Sequence, residues 1–129
     1  MRDTYHGFKA VTALAAAVLS ANANGVAVDL KGFDSALFIV GTGAIDAAGD
    51  FTVKLQESDT GTSGWADVAE ADLLDGVPET LEADSAYRIG YIGSKRKRYV
   101  RAVAVKGGGT SIVLGVTALL GHPAIAPVA

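Results

Sequence analysis

The chain has 129 residues, which suits a single domain with a buried core, and it has no cysteine, which excludes disulfide bridges and thiolate metal sites. Its net charge is −3 and its pI is about 5.2, so only a local basic surface could hold a nucleic acid. No run of 18 apolar residues occurs, and we therefore expect no transmembrane helix and no membrane partner.

The first 24 residues precede the strongly patterned part of the chain. Ala10–Leu19 is apolar and is followed by Ala21-Asn22-Ala23, which is the outline of a secretory signal peptide. Two features argue against that interpretation: the stretch is Ala-rich and only weakly hydrophobic, and Asp3 lies where a positive charge is usual. We predict instead an N-terminal arm over residues 1–24, extended or with a short helix, that packs on a neighbouring surface.

Apolar runs predict an all-β domain over residues 25–121. Ser35–Val40, "SALFIV", is continuously apolar, a pattern typical of a strand buried on both faces. Phe51–Glu57 alternates and predicts a half-buried strand. Further strands are predicted over Val26–Leu30, Trp65–Val68, Ala86–Ile92, Tyr99–Lys106 and Thr110–Leu119.

Turns and tail complete the predicted organisation. Gly-rich turns at this spacing, "KGGGT" at 106–110 among them, predict a jelly-roll-like sandwich or barrel. One helical turn is expected near Ala69–Leu74. Residues 122–129 form a C-terminal tail that its prolines keep extended.

Acidic and basic residues are segregated along the chain. Glu57–Asp84 contains nine acidic residues and no Lys or Arg, whereas Lys95–Arg101 contains five basic residues and no acid. The two sets could face each other within one monomer, or between monomers, where they would steer association.

The basic run allows three interpretations: a nucleic-acid or nuclear-localisation patch, a contact with an acidic protein surface, or a solvated turn before a strand. Tyr91 and Tyr99 flank the run, but aromatic residues for base stacking are otherwise scarce. We favour a structural or protein-contact role over direct nucleic-acid contact. The candidate protein-interface residues are Lys95, Arg96, Lys97, Arg98 and Arg101.

The string "DTGTS", Asp59–Ser63, matches the active-site string of aspartic proteases, in which two such Asp residues share one proton. A short chain could supply the pair by dimerising. However, the polar residues Gln56-Glu57-Ser58 precede the string, which predicts a hairpin tip and not a buried catalytic strand. We therefore expect no enzymatic activity and name no catalytic residue.

Metal and cofactor sites are not expected either. His6 and His122 lie far apart, and neither belongs to a cluster with ligand spacing. The segment Asp46–Asp50, "DAAGD", has too few ligands for a calcium loop and predicts a hairpin turn.

Four segments in this order resemble small virion structural proteins of tailed phages: "AVDLKGFDSALFIVGTG", "FTVKLQESDTG", "AYRIGYIGSKRKRYVRAVAV" and "ALLGHP". The resemblance runs from about Gly25 to the C-terminus. "GYIGSKRKRYVR" is the most specific part, although its basic loop is one Lys-Arg pair longer than the family's simpler "SKRYVR".

The resemblance implies a capsid decoration, or cement, protein with a jelly-roll-like fold. Such a protein would assemble in the host cytoplasm and lie on the capsid exterior. There it would bridge capsomers of the major capsid protein, as a trimer at local threefold positions. An alternative of the same broad class is a head–tail connector or tail-terminator component, which forms a ring.

Overall fold

The computed structural model describes residues 8–69, 73–74, 80–91 and 97–123, and these form a sandwich of two antiparallel sheets. The predicted all-β class is thus confirmed. The strands are β1 Lys9–Leu19, β2 Ala23–Asn24, β3 Val28–Asp29, β4 Phe33–Asp46, β5 Asp50–Ser58, β6 Ala66–Asp67, β7 Leu73–Leu74, β8 Ala86–Tyr91, β9 Tyr99–Gly108 and β10 Ser111–Pro123. Within this part of the chain no helix is long and apolar enough to cross a membrane.

The strand order is that of a jelly roll. Sheet I has the order β1-β10-β4-β8-β7, and sheet II has the order β2-β9-β5-β6, with β3 also paired to β9. The chain passes repeatedly from one sheet to the other, so that the first and last long strands, β1 and β10, are neighbours. This connectivity places the β5–β6 and β8–β9 loops close together at one end of the sandwich.

The core lies between the sheets and is built from alternate residues of each strand. Its largest fully buried side chains include Phe38 of sheet I and Phe51 and Leu55 of sheet II. Smaller residues of β9 are also fully buried, with Ala102 opposite Leu55 and Ala104 opposite Val53 in sheet II. Because few aromatic residues fill it, the core is made mainly by close approach of Val, Leu and Ala side chains.

The "SALFIV" run lies inside β4, which continues through Gly41 as far as Asp46. Gly41 is paired with both β10 and β8, and Gly43 lies at the register shift against β10. Phe38 and Val40 are fully buried in the sandwich. On the opposite face Ile39 is 38% exposed. In the single chain β4 is thus buried on its inner face only, and the prediction that both of its faces are buried is wrong for the outer face.

Sheet I extends into residues that the sequence analysis placed in the N-terminal arm. Lys9–Leu19 forms β1, a strand and not a helix, because it pairs along most of β10. Ala13, within β1, is fully buried, and two register shifts interrupt the pairing of the strand with β10. A side chain at Gly25 would lie 2.3 Å from the Ala13 carbonyl oxygen, so glycine is needed where the chain crosses. Residues 1–7 lie outside the described part.

Other predicted elements match in kind but differ in length. Two predicted strands, Val26–Leu30 and Trp65–Val68, shrink to the two-residue strands β3 and β6. The hairpin turn predicted at Asp46–Asp50 is present, with the Gly49 N–H donating to the Asp46 carbonyl. In place of the helical turn expected near Ala69–Leu74, Leu73–Leu74 forms β7, and residues 70–72 are outside the described chain. The described part of β10 reaches Pro123, one residue past the predicted start of the tail.

Candidate protein-contact site at the basic loop

Three of the five predicted interface residues are in the described part of the chain. The loop between β8 and β9 carries the basic run, and its residues 92–96 are not described, so the predictions for Lys95 and Arg96 fall outside. Lys97 and Arg98 end the loop, and Arg101 lies in β9. Each of the three contacts a polar partner from another element, so the loop end and the strand start are fixed together.

Lys97 joins the basic loop to the acidic β5–β6 loop. Its Nζ lies 3.0 Å from Oδ2 of Asp59, and the two side chains are 39% and 72% exposed. The Asp59 hydrogen bond raises the pKa of the Lys97 ammonium group. The two segregated charge sets therefore meet within one monomer at this point, which was one of the two alternatives left open by the sequence.

A tyrosine hydroxyl ties the same loop to both sheets. Tyr91 of β8 is buried, and its Oη donates to Glu57 Oε1 of β5 at 2.8 Å. The backbone N–H of Lys97 donates to the same Oη at 3.1 Å. Since β8 belongs to sheet I and β5 to sheet II, this hydroxyl links the two sheets at one end of the sandwich and anchors the backbone of Lys97 there.

Arg98 holds the other flank of the loop. Its Nε and Nη2 donate to the two carboxylate oxygens of Asp29 at 2.9 and 2.8 Å, a bidentate pair with β3. The Leu30 N–H also donates to the Arg98 carbonyl at 2.9 Å. The Arg98 hydrogen bond is the main cause that lowers the pKa of Asp29 to about 2. Two neighbouring basic residues are thus anchored to acids on opposite sides.

Arg101 is used by the outer surface of sheet II. Its Nε and Nη2 donate to Gln56 Oε1 at 3.0 and 2.7 Å, and its guanidinium carbon lies 4.4 Å from the centre of the Trp65 ring. The Gln56 amide in turn donates to Asp67 at 2.9 Å, and Lys54 Nζ is 3.1 Å from the same carboxylate. Hydrogen bonds from Gln56 and Lys54 lower the pKa of Asp67. We call these five residues the polar ladder.

The "DTGTS" string forms a tight turn. The buried Ser58 hydroxyl accepts from the N–H groups of Thr60 and Gly61, at 3.2 and 3.1 Å, and donates to the Ser63 carbonyl at 2.5 Å. A side chain at Gly61, where φ is +78°, would lie 3.0 Å from the Tyr99 ring. The prediction of a hairpin tip is confirmed, and the Asp59 carboxylate stands outside the turn, facing Lys97.

Sequence reasoning missed most of the partners of the basic residues. Asp29 lies outside the acidic stretch of the sequence, and the register of β3 with β9 brings it to Arg98. Gln56 and Trp65 carry no charge, so charge patterns do not point to them as partners of Arg101. In β5 and β9, Gln56 is directly opposite Arg101. Among the residues with described positions, no three His, Cys, Asp or Glu side chains could hold a metal ion together.

Comparison with known proteins gives a structural likeness and no family. No model of a protein family matches the chain, and no curated protein matches it. The chain is similar to one in the solved "Structure of infectious bursal disease virus Gx strain", with 11% identity and a TM-score of 0.47. The match covers 93% of this chain and 35% of that chain, so the chain spans about a third of its length.

Proposed function

We propose that this protein is a structural virion protein that decorates and stabilises an icosahedral phage capsid from the outside. It would bridge capsomers of the major capsid protein, as the trimer that the resemblance to tailed-phage proteins implies. The observation that carries the proposal is the anchoring of Lys97 and Arg98, at the described end of the segment most specific to that resemblance. Lys97 and Arg98 are held by Asp59 and Asp29, yet they remain 39% and 47% exposed.

A mounted and partly exposed basic loop suits protein binding. Because the loop end is already ordered, binding a partner costs little further side-chain entropy. Its charges can orient the protein on a carboxylate-bearing surface, as polar rims do in other interfaces. Asp59 and Asp29 would compete with phosphate groups for Lys97 and Arg98. Arg101 covers one face of the Trp65 ring, where a base would stack. Both contacts support a protein partner over a nucleic acid.

The first experiment locates and counts the protein in purified particles. We expect many copies distributed over the shell in a particle map, with the copy number confirmed by quantitative mass spectrometry. A single ring of copies at one vertex would favour the connector or tail-terminator alternative. Particles without the protein would overturn both.

Charge reversal tests the loop. Lys95→Glu/Arg96→Glu should lower particle occupancy, while the circular dichroism and melting temperature of the isolated protein stay those of the wild type. The matched control Lys9→Glu/Lys106→Glu has the same charge change at other sites and should keep its occupancy. Equal occupancy of both variants would show that the loop does not bind the shell.

We also propose that the protein has no enzymatic role. In the protease alternative Asp59 would be catalytic, so the purified protein would cleave peptides at acidic pH and Asp59→Asn would abolish the cleavage. We expect neither the wild type nor Asp59→Asn to cleave peptides, at protein concentrations up to those at which a dimer could form. Cleavage that depends on Asp59 would replace the structural proposal with the catalytic one.

A further inference from the structure

We infer that β1 is an exchangeable strand, which leaves the edge of β10 in its own chain and binds the same edge in a second copy of this chain. β1 lies at the edge of sheet I, and β10 is its one neighbour among the described strands. It can therefore leave the sheet by giving up a single ladder, while β10 stays paired with β4. The inference goes beyond the proposed function and does not depend on it.

Side chains hold β1 only weakly. Ala13 and Leu14 are its buried residues, and Val11 and Leu19 are partly buried against the core. The other seven residues of the strand are exposed. Two register shifts interrupt its ladder with β10, and on its other edge the Val26 N–H donates to the Ala13 carbonyl. A strand with so few buried apolar contacts opens more readily than the strands that form the core.

The edge of β10 is unsuited to remaining open. Ser111–Pro123 contains no Asp, Glu, Lys or Arg. Its side chains that face sheet II, Ile112 and Leu114 among them, are buried. A long uncharged strand edge presents N–H and C=O groups with which another chain can pair. A molecule whose β1 has detached is therefore expected to take up a strand from another copy.

The shape of this edge selects a second β1 as the occupant. A side chain at Gly115 would begin 3.0 Å from the Ala16 Cβ, and one at Gly121 would begin 2.7 Å from a ring carbon of Phe8. Both glycines thus leave room for particular side chains of residues 8–19. Because a second copy carries the same residues, its β1 makes the same contacts, whereas an unrelated strand does not match both positions.

The hinge for this exchange is the exposed bend Ser20–Asn22, which carries the chain from sheet I to sheet II. Lys106 holds the bend: its N–H donates to the Asn22 Oδ1 at 2.7 Å, and its Nζ donates to the Ser20 carbonyl at 3.1 Å. Water can replace both contacts because they lie at the surface. The closed and exchanged forms differ in this bend and share all contacts between β1 and β10, so exchange is a low-cost route to association.

The test traps β1 on whichever chain it occupies. Thr12→Cys/Thr117→Cys places thiols at register partners in β1 and β10 of a chain without cysteine. The purified full-length protein is refolded from urea at several concentrations, oxidised and separated on a non-reducing denaturing gel. Because its own β1 is tethered at an effective concentration on the order of millimolar, linkage between chains should rise at least about tenfold from about 10 μM to about 1 mM protein. Linkage within single chains at every concentration would overturn the inference.

The matched control is Ile39→Cys/Thr117→Cys, which keeps the thiol in β10 and moves its partner to β4. Since β4 does not exchange, this variant should link within single chains at every concentration. Equal linkage between chains in the two variants would show that whole chains associate without exchanging β1, and would overturn the inference.

Hydrogen exchange of the unsubstituted chain gives a second measurement that does not depend on the introduced thiols. The amides of β1 that bond to β10 should exchange at least about tenfold faster than those of β5 that bond to β9, because detachment of β1 exposes only the former. Equal protection of the two strands would show that β1 does not detach, which would overturn the inference.

Discussion

The two outer faces of the sandwich differ in how they meet water. On sheet II the residues of the polar ladder bind one another. Arg101 stacks on Trp65 and donates to Gln56, and both Gln56 and Lys54 contact the Asp67 carboxylate. On the outer face of sheet I, four residues are successive cross-strand partners, and Arg88 is the charged one among them; the other three are Thr12, Thr117 and Ile39. The polar ladder is thus satisfied within one chain, whereas the outer face of sheet I leaves Ile39 38% exposed.

The largest expected effect comes from the side of β4 that faces the core. Phe38→Ala removes a fully buried ring and should cost about 3–5 kcal/mol of unfolding free energy, measured by urea denaturation. Ile39→Ala, one residue along and pointing outward, should cost less than about 1 kcal/mol in the monomer. Similar losses at both positions would show that the two faces of β4 are assigned wrongly.

A smaller effect is expected where the two sheets are joined. Tyr91→Phe leaves the Glu57 carboxylate and the Lys97 N–H without this hydroxyl and should cost about 1–3 kcal/mol in the same assay. Tyr87→Phe serves as the control, since the Tyr87 hydroxyl accepts from the exposed Glu82 N–H, where water can replace it. If the control lost as much as Tyr91→Phe, the hydroxyl would not be a special link between the sheets.

Most of the long strands could be predicted from the sequence, whereas β1 and the ion pair at the basic loop could not. Period-two alternation located β5, and apolar runs bounded by glycines located β4, β9 and β10, because burial in a sandwich imposes those patterns. β1 was missed because Ala10–Leu19 alternates little and its strand state depends on pairing with β10, about 100 residues later. The Asp29–Arg98 pair was missed for the same reason: it depends on which strands are neighbours.

Residues of the polar ladder should show pairwise coupling that residues on opposite faces of the sandwich lack. In a double-mutant cycle, Trp65→Ala and Arg101→Ala should couple by about 0.5–1 kcal/mol, because the guanidinium lies 4.4 Å from the ring centre. Trp65→Ala and Arg88→Ala lie on opposite faces and should be additive within about 0.3–0.5 kcal/mol. Urea denaturation of the six proteins gives both cycles. Additivity in the first cycle would show that the stacking of Arg101 on Trp65 contributes nothing to stability.

The smallest expected effect is a pH dependence confined to the polar contacts. The folded pKa of Asp29 is about 2, below its ordinary value of 3.8, because Arg98 hydrogen-bonds the ionised carboxylate. Unfolding therefore lets Asp29 take up a proton more readily. The stability from this pair is complete above the ordinary pKa and is lost as the pH falls through about 2.

NMR titration of the Asp29 carboxyl carbon should give the low pKa in the wild type and a value near the ordinary one in Arg98→Gln. Thr52→Ser, on sheet II away from the pair, should leave the titration unchanged. An Asp29 that titrates equally with and without Arg98 would mean that the pair does not persist in solution.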